Sequence, residues 1–234
     1  LANETMIIAI DGPSGSGKST LSQRLAQALD FVHIDTGAMY RSVALAAQHA
    51  GIAPDDHERL GQLCRQLQIR FARCDGQERV YLNGEDVSEA IRTPQMSLLT
   101  SKISASPAVR RAMVELQRAM AVDLDVVLEG RDIGTVVFPD ADVKFFLSAS
   151  AKTRGQRRYE QLRSRGLEVS LEDIIDQVIA RDAADSARDH APLQQAADAL
   201  VIDSTSLSIE QVLERMLLRV QQVRQGHHCG GRCA

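Results

Sequence analysis

Near its start the chain reads Gly12-Pro13-Ser14-Gly15-Ser16-Gly17-Lys18-Ser19, with Thr20 next. The spacing is GxxxxGK[ST]. Glycines let successive backbone N–H groups turn inward and form a nest for phosphate oxygens. A helix opening at this point adds the positive end of its dipole. In such a loop Lys18 reaches the β- and γ-phosphates, and Ser19 ligates Mg²⁺. The expected ligand is a nucleoside triphosphate, with Gly12 through Thr20 as its cradle. The loop alone does not say where the phosphoryl group goes.

Four later patches bear on that question. They are "DTGAMYR" (Asp35 to Arg41), "EGRDIGTVVFPDA" (Glu129 to Ala141), "RGQRR" (Arg154 to Arg158) and "RDAADSARDHAPL" (Arg181 to Leu193). The chain holds 23 Arg and 4 Lys. A guanidinium fork matches phosphate and carboxylate oxygens in a way an ammonium does not, although base composition of the coding sequence can also enrich Arg. Arg41 and Arg131 each follow a strand end, where open parallel sheets bind ligands. Glu129 closes a strand as the acid of a Walker B segment does. It either orients Mg²⁺-bound water or is an ordinary strand-end carboxylate.

The elements that must carry these groups are legible in outline. "MIIAI" (Met6 to Ile10) is short, Ile-rich and ends at glycine punctuation, so it reads as a buried strand. Lys18 to Leu29 has helical spacing, "FVHI" (Phe31 to Ile34) is a second strand, and Ala38 to Ala50 is a helix. This order predicts a parallel sheet with crossover helices. "LQIRFARC" and "ERVYLNG" alternate around Asp75-Gly76, with a further turn at Asn83-Gly84, and predict a small antiparallel hairpin. Pro107 starts a helix with Val109, Met113, Leu116 and Met120 on its apolar stripe. "VVLEG", "VKFFLSA" and "ALVID" are three more strands. Lys152 to Arg165 is basic and polar almost all round, hence a solvated face or a mobile cover. Leu171 to Ala184 is a helix behind Ser170. A capping box of Ser208 and Gln211 opens a final helix with Ile209, Val212, Leu213, Met216, Leu217 and Val220 facing the core.

The fold class expected is therefore α/β, a P-loop parallel sheet flanked by helices. The core spans about 6–59 and 107–224, a hairpin-bearing insert about 60–106, a short helical lid about 152–167 and a flexible tail 225–234. At 234 residues one domain suffices. A net charge of −4 argues against non-specific nucleic-acid binding. No apolar run reaches membrane-span length, and the opening does not read as a secretory leader. Four Cys suit reduced thiols in a cytoplasmic monomer. The tail "GHHCGGRCA" could grip a metal, but its glycine-rich setting reads as a frayed end.

"DTGAMYR", "GRDIGTVVFPDA" and "RDAADSARDHAPL", in that order, resemble the bacterial cytidylate kinases of the nucleoside monophosphate kinase group. The resemblance runs from about Met6 to Val223. It implies an insert that enlarges the monophosphate site. It also implies that Arg41, Arg131 and Arg188 hold the acceptor phosphate. By the same resemblance, Ser101, Arg110 and Asp132 read cytosine, and Thr36 and Tyr40 line its site. Arg181 and Asp185 face the sugar, while lid residues Arg154, Arg157 and Arg158 approach the donor phosphates. Thr36 stands where the family often has Ser, keeping the hydroxyl and adding a methyl.

The reaction so implied moves the γ-phosphoryl of MgATP to CMP or dCMP, a step of pyrimidine nucleotide metabolism. An anionic phosphate oxygen is already a nucleophile, which fits a sequence with no obvious Ser-His-Asp or catalytic Cys set. Positioning and charge neutralisation remain as the catalytic work, assigned to Lys18, Arg131 and Arg158. Rival readings are a kinase for another small acceptor such as UMP or shikimate, and a non-catalytic nucleotide-binding regulator. A guanine-reading NKxD segment and an LSGGQ signature are both absent from the sequence.

Overall fold

The computed structural model describes residues 5–74, 76–188 and 191–230. Asp75 of the expected hairpin turn, Asp189 and His190 of the long Arg-rich patch, and residues 231–234, with Cys233, lie outside that set. So do the side chains of residues 227–230, including Cys229. The described chain forms two compact units. One comprises the N-terminal part to His33 and everything from Asp123 onward; the other is Ile34–Val122.

In chain order the elements are β1 (Ile7–Asp11), α1 (Lys18–Leu29), β2 (Val32–Asp35), α2 (Thr36–His49), α3 (His57–Cys64), β3 (Ile69–Cys74), β4 (Gln77–Leu82) and β5 (Glu85–Asp86). A 3-10 turn (Ala90–Arg92), α4 (Pro94–Ile103), α5 (Pro107–Met120) and β6 (Val126–Glu129) follow. A π-helical turn (Ile133–Val137), β7 (Val143–Ser148), α6 (Ala151–Arg163), α7 (Leu171–Ser186), β8 (Leu200–Asp203) and α8 (Ile209–Gly230) complete it.

The main sheet has the order β2-β6-β1-β7-β8. Its central strand β1 pairs in parallel with β6 on one side and β7 on the other, and β7 pairs in parallel with β8. Strands buried on both faces should read as apolar runs, and they do. Ile8, Ile10, Val127 and Leu147 are sealed from solvent, packed with Leu21 and Leu25 of α1 and Val212, Met216 and Val220 of α8. Each such side chain contributes about 1.5–3 kcal/mol through burial. The capping box at α8 is formed: Gln211 N–H donates to Ser208 Oγ at 3.2 Å, and Ser208 N–H to Gln211 Oε1 at 2.9 Å. Ile209 lies outside the apolar stripe, 41% exposed. Helix α8 continues through Gly230, so the expected flexible tail is helical over 225–230.

The second unit contains the expected insert. Strands β3, β4 and β5 form an antiparallel sheet, with Ile69 opposite Leu82 and Cys74 opposite Gln77. Asn83 and Gly84 both take positive φ, 52° and 90°, as a tight β4-to-β5 turn requires. Helices α3 and α4 were not legible as helices in the sequence. Short amphipathic runs of 8 and 10 residues give little periodic signal. Their caps were visible in principle: Asp56 accepts from Arg59 N–H, and Thr93 from Met96 N–H with Pro94 behind it.

One expectation needs correcting. Helix α6 is not a polar rod without a partner. Arg154, Gly155 and Leu162 are buried, and a Cβ on Gly155 would fall 2.4 Å from Ile175 of α7. The absence of a side chain at Gly155 is what lets the two helices approach. A glycine in a polar helix was the available sign of close packing.

Candidate functional site

The phosphate loop leaves the carboxyl end of β1. Gly12 has φ +144°, and a Cβ there would fall 2.0 Å from the carbonyl oxygen of Leu147, so only glycine fits. Gly17 caps α1 with φ +96°, which turns the chain into the helix. Lys18 is buried and donates to the carbonyl of Pro13 at 2.7 Å, across the mouth of the loop. Ser16 Oγ donates to the same carbonyl at 3.0 Å. Burial pushes the Lys18 ammonium well below its ordinary pKa. Arg131 adds to that shift, while Glu129 and Asp11 oppose it.

Glu129 is a buried residue of a wholly buried strand, not a strand-end surface acid. Ser19 Oγ donates to its Oε2 at 2.9 Å. His33 Nε2 lies 3.6 Å from Oε1 and 2.9 Å from Ser22 Oγ. A hydroxyl and a carboxylate side by side are hard oxygen donors, the set that suits Mg²⁺. His33 was missed in the sequence, where it was one residue in a short strand.

Asp185 collects three guanidinium groups. Arg131 Nε donates to its Oδ2 at 3.0 Å, Arg188 to its Oδ1 at 2.5 Å, and Arg181 Nε stands 4.0 Å from Oδ2. Burial alone would raise the Asp185 carboxyl, but Arg131, Arg188 and Arg181 together hold it below its ordinary value. Three guanidinium groups thus converge on one buried carboxylate. Arg131 and Arg181 both act electrostatically on Lys18, which places the cluster near the phosphate loop. Asp132, next to Arg131, is buried.

The three lid arginines differ. Arg154 is buried, donating to Ala149 O at 2.8 Å and Ser14 O at 3.0 Å, and its fork grips Asp182. The bond to Ser14 O ties α6 to the phosphate loop. Arg157 donates to Ser204 Oγ at 3.1 Å and Ser204 O at 2.7 Å, and Ser204 Oγ is 3.1 Å from Ser16 O. Arg158 donates to Gln161 at 2.7 Å on the exposed side. Asp182 and Ser204 were missed. Asp182 stood inside an Arg-rich patch, flanked by the residues that drew attention.

The second unit holds the remaining five candidates. Asp35 caps α2, accepting from Ala38 N–H at 2.8 Å, and its other oxygen pairs with Arg41 at 2.8 Å. Arg41 Nε is buried without a hydrogen-bond partner among the described residues, a donor still to be satisfied. Thr36 and Tyr40 are buried on the same helix. Arg110 of α5 is buried too, its guanidinium carbon 5.9 Å from the centre of the Tyr40 ring. Ser101 is half-buried on α4.

Among the described residues no helix is long and apolar enough to cross a membrane. A solved gluconokinase structure from Sinorhizobium meliloti superposes with TM-score 0.51 at 11% identity, over 97% of this chain and 98% of that one. An uncharacterised protein from Eubacterium ventriosum gives TM-score 0.53 at 11% identity, over 93% and 99%. At such identities the likeness concerns the fold alone. In sequence, the chain is 63% identical to the cytidylate kinase of Syntrophotalea carbinolica over 223 residues, 95% of each chain. It is 61% identical to the cytidylate kinase of Geobacter sulfurreducens over 211 residues, 90% of this chain and 91% of that one. The family model for cytidylate kinase matches residues 8–222. With that match spanning nearly the whole chain, the protein belongs to the cytidylate kinase family.

Proposed function

We propose that the protein transfers the γ-phosphoryl group of MgATP to the 5′-phosphate of CMP or dCMP, releasing ADP and CDP or dCDP. The observation that carries this reading is the convergence of Arg131, Arg181 and Arg188 on Asp185, within electrostatic reach of Lys18. A loop that only stored a nucleotide would need no convergence of guanidinium groups beside it. Transfer between two polyanions does.

On the first unit, residues 12–20 hold the triphosphate and Lys18 neutralises charge as it shifts toward the bridging oxygen. Arg131 and Arg188 take the acceptor phosphate, Arg181 and Asp185 the sugar, and Asp132 the cytosine. Ser19, with Glu129 acting through water, would hold Mg²⁺. When bound, that ion screens the β- and γ-phosphate oxygens. On the second unit, Arg41 offers its buried Nε to phosphate, while Thr36, Tyr40, Ser101 and Arg110 serve the nucleoside. Arg157 and Arg158 serve the donor phosphates. The attacking oxygen is already anionic, so no side chain need remove a proton. The setting proposed is a cytoplasmic monomer that feeds pyrimidine nucleotide metabolism.

The test is ADP release with MgATP against CMP, dCMP, UMP, AMP and shikimate, with an acceptor-free control. CMP and dCMP should stimulate release far above the control and above the other acceptors. Equal release without acceptor, or a preference for shikimate, overturns the assignment.

A further inference from the structure

Two buried charges of the main sheet touch none of the substrate groups assigned above. Asp11 ends β1 and is 4% exposed. Both its carboxylate oxygens are taken by backbone amides: Ile133 N–H donates to Oδ1 at 2.8 Å and Gly134 N–H to Oδ2 at 2.7 Å. Lys144 lies in β7, also buried. Its ammonium donates to the carbonyl of Pro139 and to both oxygens of Asp198, at 2.9 and 2.8 Å.

The segment between these contacts is the π turn and its exit. The amides of Ile133 and Gly134, at its opening, precede the first hydrogen bonds made within the turn. Asp11 meets these opening amides, and Lys144 holds the carbonyl of Pro139, two residues past the turn. A Cβ on Gly134 would lie 3.1 Å from Lys144 Cδ and 3.4 Å from Asp11 Oδ2, so the two side chains close on the same backbone position. Arg131 and Asp132 stand immediately before the clamped turn. The Asp132 carbonyl accepts from Val136 N–H at 2.9 Å and Val137 N–H at 3.2 Å, so the backbone of Asp132 moves only with the turn.

We propose that Asp11 and Lys144 form a two-ended clamp on residues 133–139 that positions Arg131 and Asp132 for the acceptor nucleotide. They are positioning residues for acceptor specificity. The inference rests on the reading of Arg131 and Asp132 as acceptor groups. Its physical basis is that reacting and recognising groups lose effect steeply when displaced by about 1 Å, by as much as 10²-fold.

The test uses the full chain carrying Asp11→Asn or Lys144→Met. Asparagine keeps the volume of Asp11 but offers one accepting oxygen, leaving one amide unpaired. For each variant the KM for CMP, the CMP-to-UMP ratio of kcat/KM and the KM for ATP are measured beside the thermal midpoint. The expected result is a rise of about tenfold in KM for CMP and a comparable fall in CMP-to-UMP preference, with KM for ATP within about twofold. Lys144→Arg should restore most of the loss. Wild-type preference in both variants, or equal changes for ATP and CMP, overturns the clamp. Failure of both to fold also overturns it, since the groups would then serve stability rather than position. Arg131→Lys and Asp132→Asn separate the two ideas. If they leave CMP use unchanged, the acceptor reading itself is wrong. If they damage it while Asp11→Asn and Lys144→Met do not, only the clamp is wrong.

Discussion

Ser19 and Glu129, 110 residues apart in the chain, share a 2.9 Å hydrogen bond between hydroxyl and carboxylate. Parallel pairing of β1 with β6, with Ile10 opposite Glu129, creates this proximity. The loop that leaves β1 and the acid that ends β6 must then meet at the carboxyl ends of these neighbouring strands. Glu129→Gln preserves volume and one accepting oxygen but removes the charge. The outcome expected is a rise of about 10–100-fold in the Mg²⁺ concentration for half-maximal rate, with a small change in thermal midpoint. A titration of rate against Mg²⁺ at saturating nucleotides reads this directly; an unchanged half-point removes Glu129 from the metal site.

Lys18→Ala tests the cradle. The ammonium already spans the loop to Pro13 O at 2.7 Å, so its removal leaves a gap but no buried charge without a partner. Turnover should fall by at least about 10²–10³-fold, the scale for loss of a preorganised charge at a developing oxyanion. Circular dichroism should show the fold intact. A variant that keeps most of its rate refutes the assignment of the loop.

Arg131→Ala should separate the two substrates. Its guanidinium is one of three that meet Asp185, beside those of Arg188 and Arg181, so the loss removes the proposed phosphate donor and loosens the cluster. We expect kcat/KM for CMP to fall by about 10²-fold or more while ATP affinity, measured by calorimetry with a non-hydrolysable analogue, changes by less than about fivefold. Equal losses would show that the role given to Arg131 on the acceptor side is misassigned.

The cradle, the strands and the Arg-rich patches were legible because each is local. A glycine pattern, an apolar run and a charge cluster can all be read within a dozen residues. Partners that meet only through the sheet were not. Lys144 stood in an apolar strand reading "VKFFLS" and Asp11 at the end of another, both anomalies for buried strands, yet nothing local said which amides or carbonyls they would meet. Arg154 shows the same limit. The resemblance implies that it approaches the donor phosphates, and nothing local said that Asp182 and the carbonyls of Ser14 and Ala149 would take its N–H groups. Ser101 entered through family resemblance alone, since a half-buried serine on a short helix carries no chemical signal of its own.

The state of Asp11 makes a prediction about pH. Burial pushes its carboxyl up to about 6, against the pull of the Gly134 and Ile133 amides; Asp132 adds to the rise and Lys18 opposes it. In the unfolded chain the group titrates near 3.8. The folded state therefore holds the proton more tightly, and Asp11 adds stability that is fully present below about pH 4. That contribution is lost as pH rises through 6, and amounts to about 3 kcal/mol at most. Asp11→Asn cannot titrate, so its stability relative to the parent should improve as pH goes from 4 to 7. In thermal midpoint the gap should move by about 5–10 °C in the variant's favour over that span. Meanwhile kcat/KM for CMP in the parent should decline below pH 6, because a protonated carboxyl gives up part of its grip on the two amides. A midpoint difference independent of pH would show that Asp11 is ionised throughout, and that the acid limb of the rate profile belongs to another group.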